Sequence, residues 1–248
     1  MKLSLKSVHL KSISVSMMIV GEALRQFVYQ FIIGSGSKPL PWQTGLYYLG
    51  YILYLGAFPL AAFLLVEGAK KTSNRLLFLG RLCLAGIVAE ILMDIALYGQ
   101  ELASYGTYPQ NYFFTLIIGL FIIYLVEVLG NYITVGTFSY NLITLALYVI
   151  VTIIVILLQL EQGSLGILVI IALYVCYGNR WFSLVLVSIL YLLFLRGIGI
   201  FSIIPAFSLC LLWFYQGTEG KKTIVRRWCF YLVYPVVYFM LGLLVRFL

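Results

Sequence analysis

Histidine is nearly absent from this chain: His9 is the only one, and it stands among lysines close to the N-terminus. An imidazole deep in the fold is therefore excluded, and any proton transfer in an apolar interior falls to carboxylates. The four cysteines, Cys83, Cys176, Cys210 and Cys229, form no CxxC pair and have no histidine near them. That excludes a disulfide framework and a zinc site, and leaves them as small packing residues. GxSxG, the P-loop, a GxGxxG after a strand and HExxH are all missing, which removes the common soluble catalytic classes. Charge is scarce too, at 10% of 248 residues against 63% hydrophobic, with a mean hydropathy of +1.07. No soluble domain of this size carries such a composition on its surface. The net charge of +8 does not indicate nucleic acid, because the basic residues are spread over short loops that alternate in density. No internal repeat, low-complexity tract or soluble domain interrupts the chain.

What remains is apolar sequence in runs. Segments Ser12 to Ile33, Gly45 to Val66, Leu79 to Tyr98, Tyr112 to Leu129, Leu142 to Leu158, Leu165 to Tyr177, Trp181 to Leu195, Ile198 to Tyr215 and Trp228 to Phe247 read as spans. They predict an all-α, polytopic integral membrane bundle of about nine helices, within a range of roughly eight to ten because the sixth and seventh are short. The whole of 1–248 reads as one transmembrane domain. The stretch after Lys2, Lys6 and Lys11 resembles a signal peptide, but no small-residue cleavage site follows, and it reads as a retained first span.

Loop charge sets the orientation. With nine spans and the N-terminus inside, the cytoplasmic segments hold Lys2, Lys6, Lys11, Lys70, Lys71, Arg75, Arg81, Arg180, Lys221, Lys222, Arg226 and Arg227. The outer side keeps Lys38, Arg196 and Arg246. Twelve against three satisfies the positive-inside rule and sends the C-terminus outward. Trp42, Tyr47, Tyr48, Tyr105, Tyr108, Tyr112, Trp213, Tyr215 and Trp228 fall near span ends, as interfacial aromatic belts require.

Four ionisable residues then lie inside the bilayer: Glu22 and Arg25 on the first span, Glu90 and Asp94 on the third. Each costs roughly 2.5–3.5 kcal/mol at the bilayer centre unless it meets a partner or water. The spacings put each pair on one helical face, and the two glutamates at similar depth. Arg25 and Asp94 are thus expected to meet as an ion pair, either as structural glue or as the lining of a reactive cavity. Glu67 and Glu127 close their spans near the cytoplasmic face and read as solvated or snorkelling carboxylates. Asn111 and Thr115 share a face at the outer end of the fourth span, where they can contact a ligand, and Asn111 can cap the helix. Glu161 and Gln162, before Gly163, read as a solvated outer turn.

Phe58-Pro-Leu-Ala-Ala-Phe-Leu-Leu-Val-Glu-Gly68, with Lys71, Thr72, Arg75, Arg81-Leu82, Glu90 and Asp94, resembles the TraX family of membrane proteins. Asn111-Tyr-Phe-Phe-Thr-Leu-Ile-Ile-Gly119 does so as well. The resemblance extends to Lys11, to Gly163 through Gly166, to Tyr215-Gln-Gly217 and to Phe230-Tyr-Leu-Val-Tyr-Pro235. It implies a bacterial plasma-membrane protein that acetylates or acylates a membrane or extracytoplasmic acceptor. Acetyl-CoA or another acyl-CoA would be the cytosolic donor. By resemblance Glu67, Arg81, Glu90, Asp94, Asn111 and Thr115 are retained site positions, with Glu67, Arg81, Asn111 and Thr115 assigned to substrate. Glu22, Arg25, Glu90 and Asp94 are assigned to catalysis, Glu22 as base and Arg25 as orienting cation. Where family members carry an Asp-His pair in the first span, this chain has Gly21 and Glu22. Where they carry later histidines, it has Lys71 and Val237. The alternative implied by those losses is an inactive relative, a membrane partner that binds a peptide, lipid or membrane protein.

Overall fold

The structure is a computed structural model that describes residues 5–33, 40–98, 111–218, 231–237, 239–240 and 243. Among these residues the fold is helical. Helices α1 Ser7–Ile33, α2 Pro41–Lys71, α3 Arg75–Tyr98, α4 Tyr112–Tyr132, α5 Phe138–Leu157, α6 Gly163–Val175 and α7 Arg180–Phe194 are followed by a 3-10 helix, Arg196–Phe214. A last helical segment, α8, covers 231–237. Helices α2, α4 and α5 are long and apolar enough to cross a membrane, and α6, α7 and Phe201–Phe214 are shorter apolar helices. Helical segments lie within a few residues of the first eight expected spans, and the ninth, Trp228 to Phe247, is described only in part. Lys38, Lys221, Lys222, Arg226, Arg227, Trp228, Cys229 and Arg246 lie outside the described residues.

The principal contact is α1 along α2. Gly21 and Gly50 permit it: a Cβ on Gly21 would lie 2.6 Å from the Tyr54 nitrogen and 2.7 Å from the Gly50 oxygen. Small residues that let backbones touch are the usual solution where lipid removes the hydrophobic drive between helices. Helix α3 packs chiefly on α4, and α6 sits among α2, α4, α5 and α7. Leu145, Val149, Ile150, Ile153, Ile156 and Leu157 of α5 are exposed, an apolar surface suited to hydrocarbon rather than water.

Helix α2 carries Pro59 in its interior. Proline has no N–H, so the carbonyl of Leu55, four residues back, loses its helical donor. The buried Tyr191 hydroxyl of α7 donates to that oxygen at 3.0 Å, which restores the missing bond and ties α7 to α2.

The segment read as an ordinary helix over 198–215 is wound as a 3-10 helix. Its pattern has the matching period: Ala206, Leu209, Leu212 and Tyr215 are buried while Phe201, Ile204 and Phe207 are exposed, a repeat of three residues per turn.

One end of the bundle gathers basic residues. Leu5 N–H donates to Phe214 O at 2.8 Å and Gln216 N–H to Leu5 O at 3.2 Å, joining the start of α1 to the end of the 3-10 helix. Arg180 donates to Tyr215 O at 3.0 Å, Lys71 to Gly217 O at 2.8 Å, and Arg75 pairs with Glu127 at 2.7 Å. Lys70 lies 4.5 Å from the Tyr174 ring centre and 5.1 Å from that of Tyr177. Basic residues from three helices, α2, α3 and α7, thus share one end, as the loop-charge pattern anticipates.

Candidate functional site

Glu22 is buried on α1 and pairs with Arg25 of its own helix at 3.2 Å. The guanidinium lies over the rings of Tyr54 at 5.1 Å and Tyr51 at 5.7 Å, both on α2. Aromatic faces accommodate a cation that hydrocarbon would reject. The Gly21–Gly50 contact sets this geometry, since it brings the α2 backbone against the turn of α1 that carries Glu22.

Asn111 caps α4, its side chain accepting from Phe113 N–H at 3.0 Å, as the spacing led one to expect. It is fully buried and bridges to α3: its backbone N–H donates to Glu90 at 3.1 Å, its amide nitrogen to Glu90 at 2.5 Å and to Gly86 O at 3.0 Å. Glu90 therefore sits at the α4 N-terminus, where orphan N–H groups and the helix dipole favour an anion. Thr115, one turn on, is fully buried, and its hydroxyl oxygen has no hydrogen-bond partner among the described residues. Its methyl would be 2.8 Å from a Cβ on Gly166, so glycine there lets α6 close onto α4.

Between the two groups stands Glu161. The turn from α5 to α6 runs through Gln159 at φ 51° and Gly163 at φ 49°, and this left-handed geometry turns the chain inward. The expectation of a solvated turn is overturned: Gln162 is buried and Glu161 Oε2 is enclosed without a hydrogen-bond partner among the described residues. Glu161 Oε1 accepts from the Tyr54 hydroxyl. Burial pushes the Glu161 carboxyl up to about 7, with the Glu22 charge adding to the rise. The Tyr54 hydrogen bond, the Arg25 guanidinium and the Tyr112 backbone N–H oppose it. Tyr112 in turn packs edge-on against Tyr234 of α8, ring centres 4.8 Å apart.

These residues share a depth. At ~1.5 Å per residue, Glu22 lies about 22 Å along α1 from Ser7, Tyr54 about 25 Å from Lys71, and Glu90 about 22 Å from Arg75. They form one polar layer well away from the basic end.

Not every expected residue joins it. Glu67 belongs to the basic end, and it is neither solvated nor snorkelling: it is buried, pairs with Lys71 at 2.7 Å and accepts from the Tyr215 hydroxyl at 2.7 and 2.8 Å. Arg81 donates to Leu77 O of its own helix at 3.1 Å, far from the layer. The side chain of Asp94, and with it the expected Arg25–Asp94 pair, lies outside the described residues. Tyr54 and Glu161 were missed as site residues. A carboxylate and a glycine between two apolar runs was the available signal for Glu161.

A buried layer of charge among apolar helices, three of the described ones long and apolar enough to span a bilayer, fits a helical membrane protein. A family profile described as TraX protein matches residues 8–245, nearly the whole chain. The chain belongs to the TraX family. No curated protein and no solved structure matches it.

Proposed function

We propose that this chain is a multi-pass plasma-membrane acyltransferase that moves an acetyl or other acyl group from a cytosolic acyl-CoA to an acceptor held near the outer side of the bundle. The observation that carries this reading is the buried layer of Glu22, Arg25, Tyr54, Glu90, Asn111, Thr115 and Glu161, because hydrocarbon tolerates such a concentration of polar groups only where it has a use. Family membership supports the reaction class. The basic end faces the cytoplasm, so the N-terminus is inside and the C-terminus outside, and the membrane is bacterial. The donor's phosphates meet Lys70, which stands exposed above Tyr174 and Tyr177, with Arg81 nearby in sequence. Within the layer Arg25 and Thr115 hold polar groups of the substrates, and Glu22 and Glu90 supply carboxylates; Asp94 is retained as a catalytic candidate from the family resemblance alone.

A second reading is an inactive relative that binds a peptide, lipid or membrane protein. The pairing of Glu22 with Arg25 and of Glu90 with Asn111 favours it, since both contacts are stable without any substrate.

Full-length protein in nanodiscs decides between them. Acetyl-CoA binding and acetyl-CoA-dependent thiol release that weakens in Glu22→Gln support the enzyme. Binding with equal thiol release from wild type and variant removes Glu22 from catalysis, and no acetyl-CoA binding favours the partner role.

A further inference from the structure

We propose that Glu161 takes the proton from the acceptor nucleophile, and that Tyr54 is the positioning residue that holds its carboxylate. This rests on the acyl-transfer reading above and adds to it a residue outside the family-derived set.

The geometry separates the carboxylates of the layer. Glu22 is engaged by the guanidinium of Arg25. Glu90 takes two donors from Asn111 and secures the α4 N-terminus. Glu161 accepts the Tyr54 hydroxyl at Oε1 and has the Tyr112 backbone N–H beside its carboxyl, while Oε2 is enclosed and makes no hydrogen bond among the described residues. An enclosed carboxylate oxygen without a donor is costly, and it persists where a ligand supplies the proton. The α5–α6 turn that aims it is built for the purpose, with left-handed residues at Gln159 and Gly163 on either side. The following turn of α6 touches Thr115, whose hydroxyl also has no hydrogen-bond partner among the described residues. A proton acceptor and a proton donor, each without a hydrogen-bond partner among the described residues, thus stand on neighbouring turns where α6 meets α4.

The groups facing Glu161 are Glu22 and Arg25 from α1, Tyr54 from α2 and the N-terminal turn of α4 at Tyr112. With no histidine in the layer, a carboxyl raised to about 7 has the affinity a general base needs at neutral pH.

The step balances as follows. The acceptor amine nitrogen attacks the thioester carbonyl carbon, forming the C–N bond, and its proton passes to Glu161 Oε2. The C–S bond then breaks, and the same proton moves to the departing sulfur, giving an amide and a free thiol with Glu161 again ionised.

The test uses full-length protein in nanodiscs, acetyl-CoA, and a short peptide with a free N-terminal amine as probe. Acetyl-CoA binding is read by calorimetry, and thiol release and peptide acetylation are followed across pH 5–9. The expected result is a rate that rises through a limb near pH 7. Glu161→Gln should lose about 100-fold or more with acetyl-CoA binding unchanged. Tyr54→Phe should move the limb to higher pH, because the Tyr54 hydrogen bond holds the carboxyl down. Glu161→Gln with the wild-type rate and limb overturns the assignment and leaves the acyl-transfer reading intact. If Glu161→Gln loses binding as well, an unmoved limb in Tyr54→Phe overturns it. Wild type that neither binds nor consumes acetyl-CoA overturns both.

Discussion

Tyr54 of α2 donates its hydroxyl to Glu161, 107 residues away in the α5–α6 turn. Stability should therefore depend on pH through this carboxyl. Its ordinary value is 4.5 and in the fold it stands at about 7, so between those values the folded protein retains a proton that the unfolded chain releases. That contribution to stability is fully present below pH 4.5 and is lost as pH rises through 7. Melting in detergent across this window should fall with pH for wild type and flatten in Glu161→Gln.

The α1–α2 contact should tolerate no side chain at its centre. Gly21→Ala places a Cβ 2.6 Å from the Tyr54 backbone nitrogen, and backbone cannot swing aside as a flexible side chain can. A loss on the order of 1–3 kcal/mol is expected, seen as a lower melting temperature. Gly45→Ala, where a Cβ meets nothing within 4 Å, should leave the melt unmoved.

Tyr191→Phe removes the side-chain donor to Leu55 O, whose usual helical partner Pro59 has no N–H to give. A buried carbonyl left without a donor costs about 1–3 kcal/mol. Thermal melting of Tyr191→Phe should show that loss. In the double variant Tyr191→Phe, Pro59→Ala, which restores an N–H to the helix, most of it should disappear.

Asn111→Ala strips the α4 cap and leaves Glu90 with fewer donors. Loss of the cap alone is worth about 0.5–2 kcal/mol, and the stranded carboxylate adds to it. Asn111→Asp keeps the capping oxygen and sets a second carboxylate beside Glu90. It should therefore destabilise more at pH 8 than at pH 5, as measured by melting at both values.

Much of this arrangement is legible in the sequence because hydrocarbon makes polarity conspicuous. Glu22 and Arg25 stood out against the apolar run, and three-residue spacing placed them together. Asn111 before Tyr-Phe-Phe read as a cap and is one. Glu161 escaped because its meaning depends on where a turn points, and periodicity says nothing of a connection whose backbone bends at Gln159 and Gly163. Tyr54 escaped because tyrosines are abundant here, 20 in all, and nothing local distinguishes the one that meets a carboxylate. Glu67 was misread for a related reason: its partner Tyr215 lies 148 residues away. The 3-10 winding was hidden as well, since an apolar run with a central proline fits either helix until the three-residue burial repeat is seen.

That winding decides how far a short stretch of chain can travel. At ~2.0 Å per residue the 19 residues of Arg196–Phe214 cover about 38 Å. Coiled at ~1.5 Å per residue they would cover about 28 Å. The extra length carries Tyr215 down to Glu67 and Arg180, where it closes the basic end like a drawn bolt. Any ligand or substitution that rewound a few turns of this rod as α-helix would shorten it and withdraw the bolt. Lys71 and the start of α1 would then come away from the strand of chain that now fastens them.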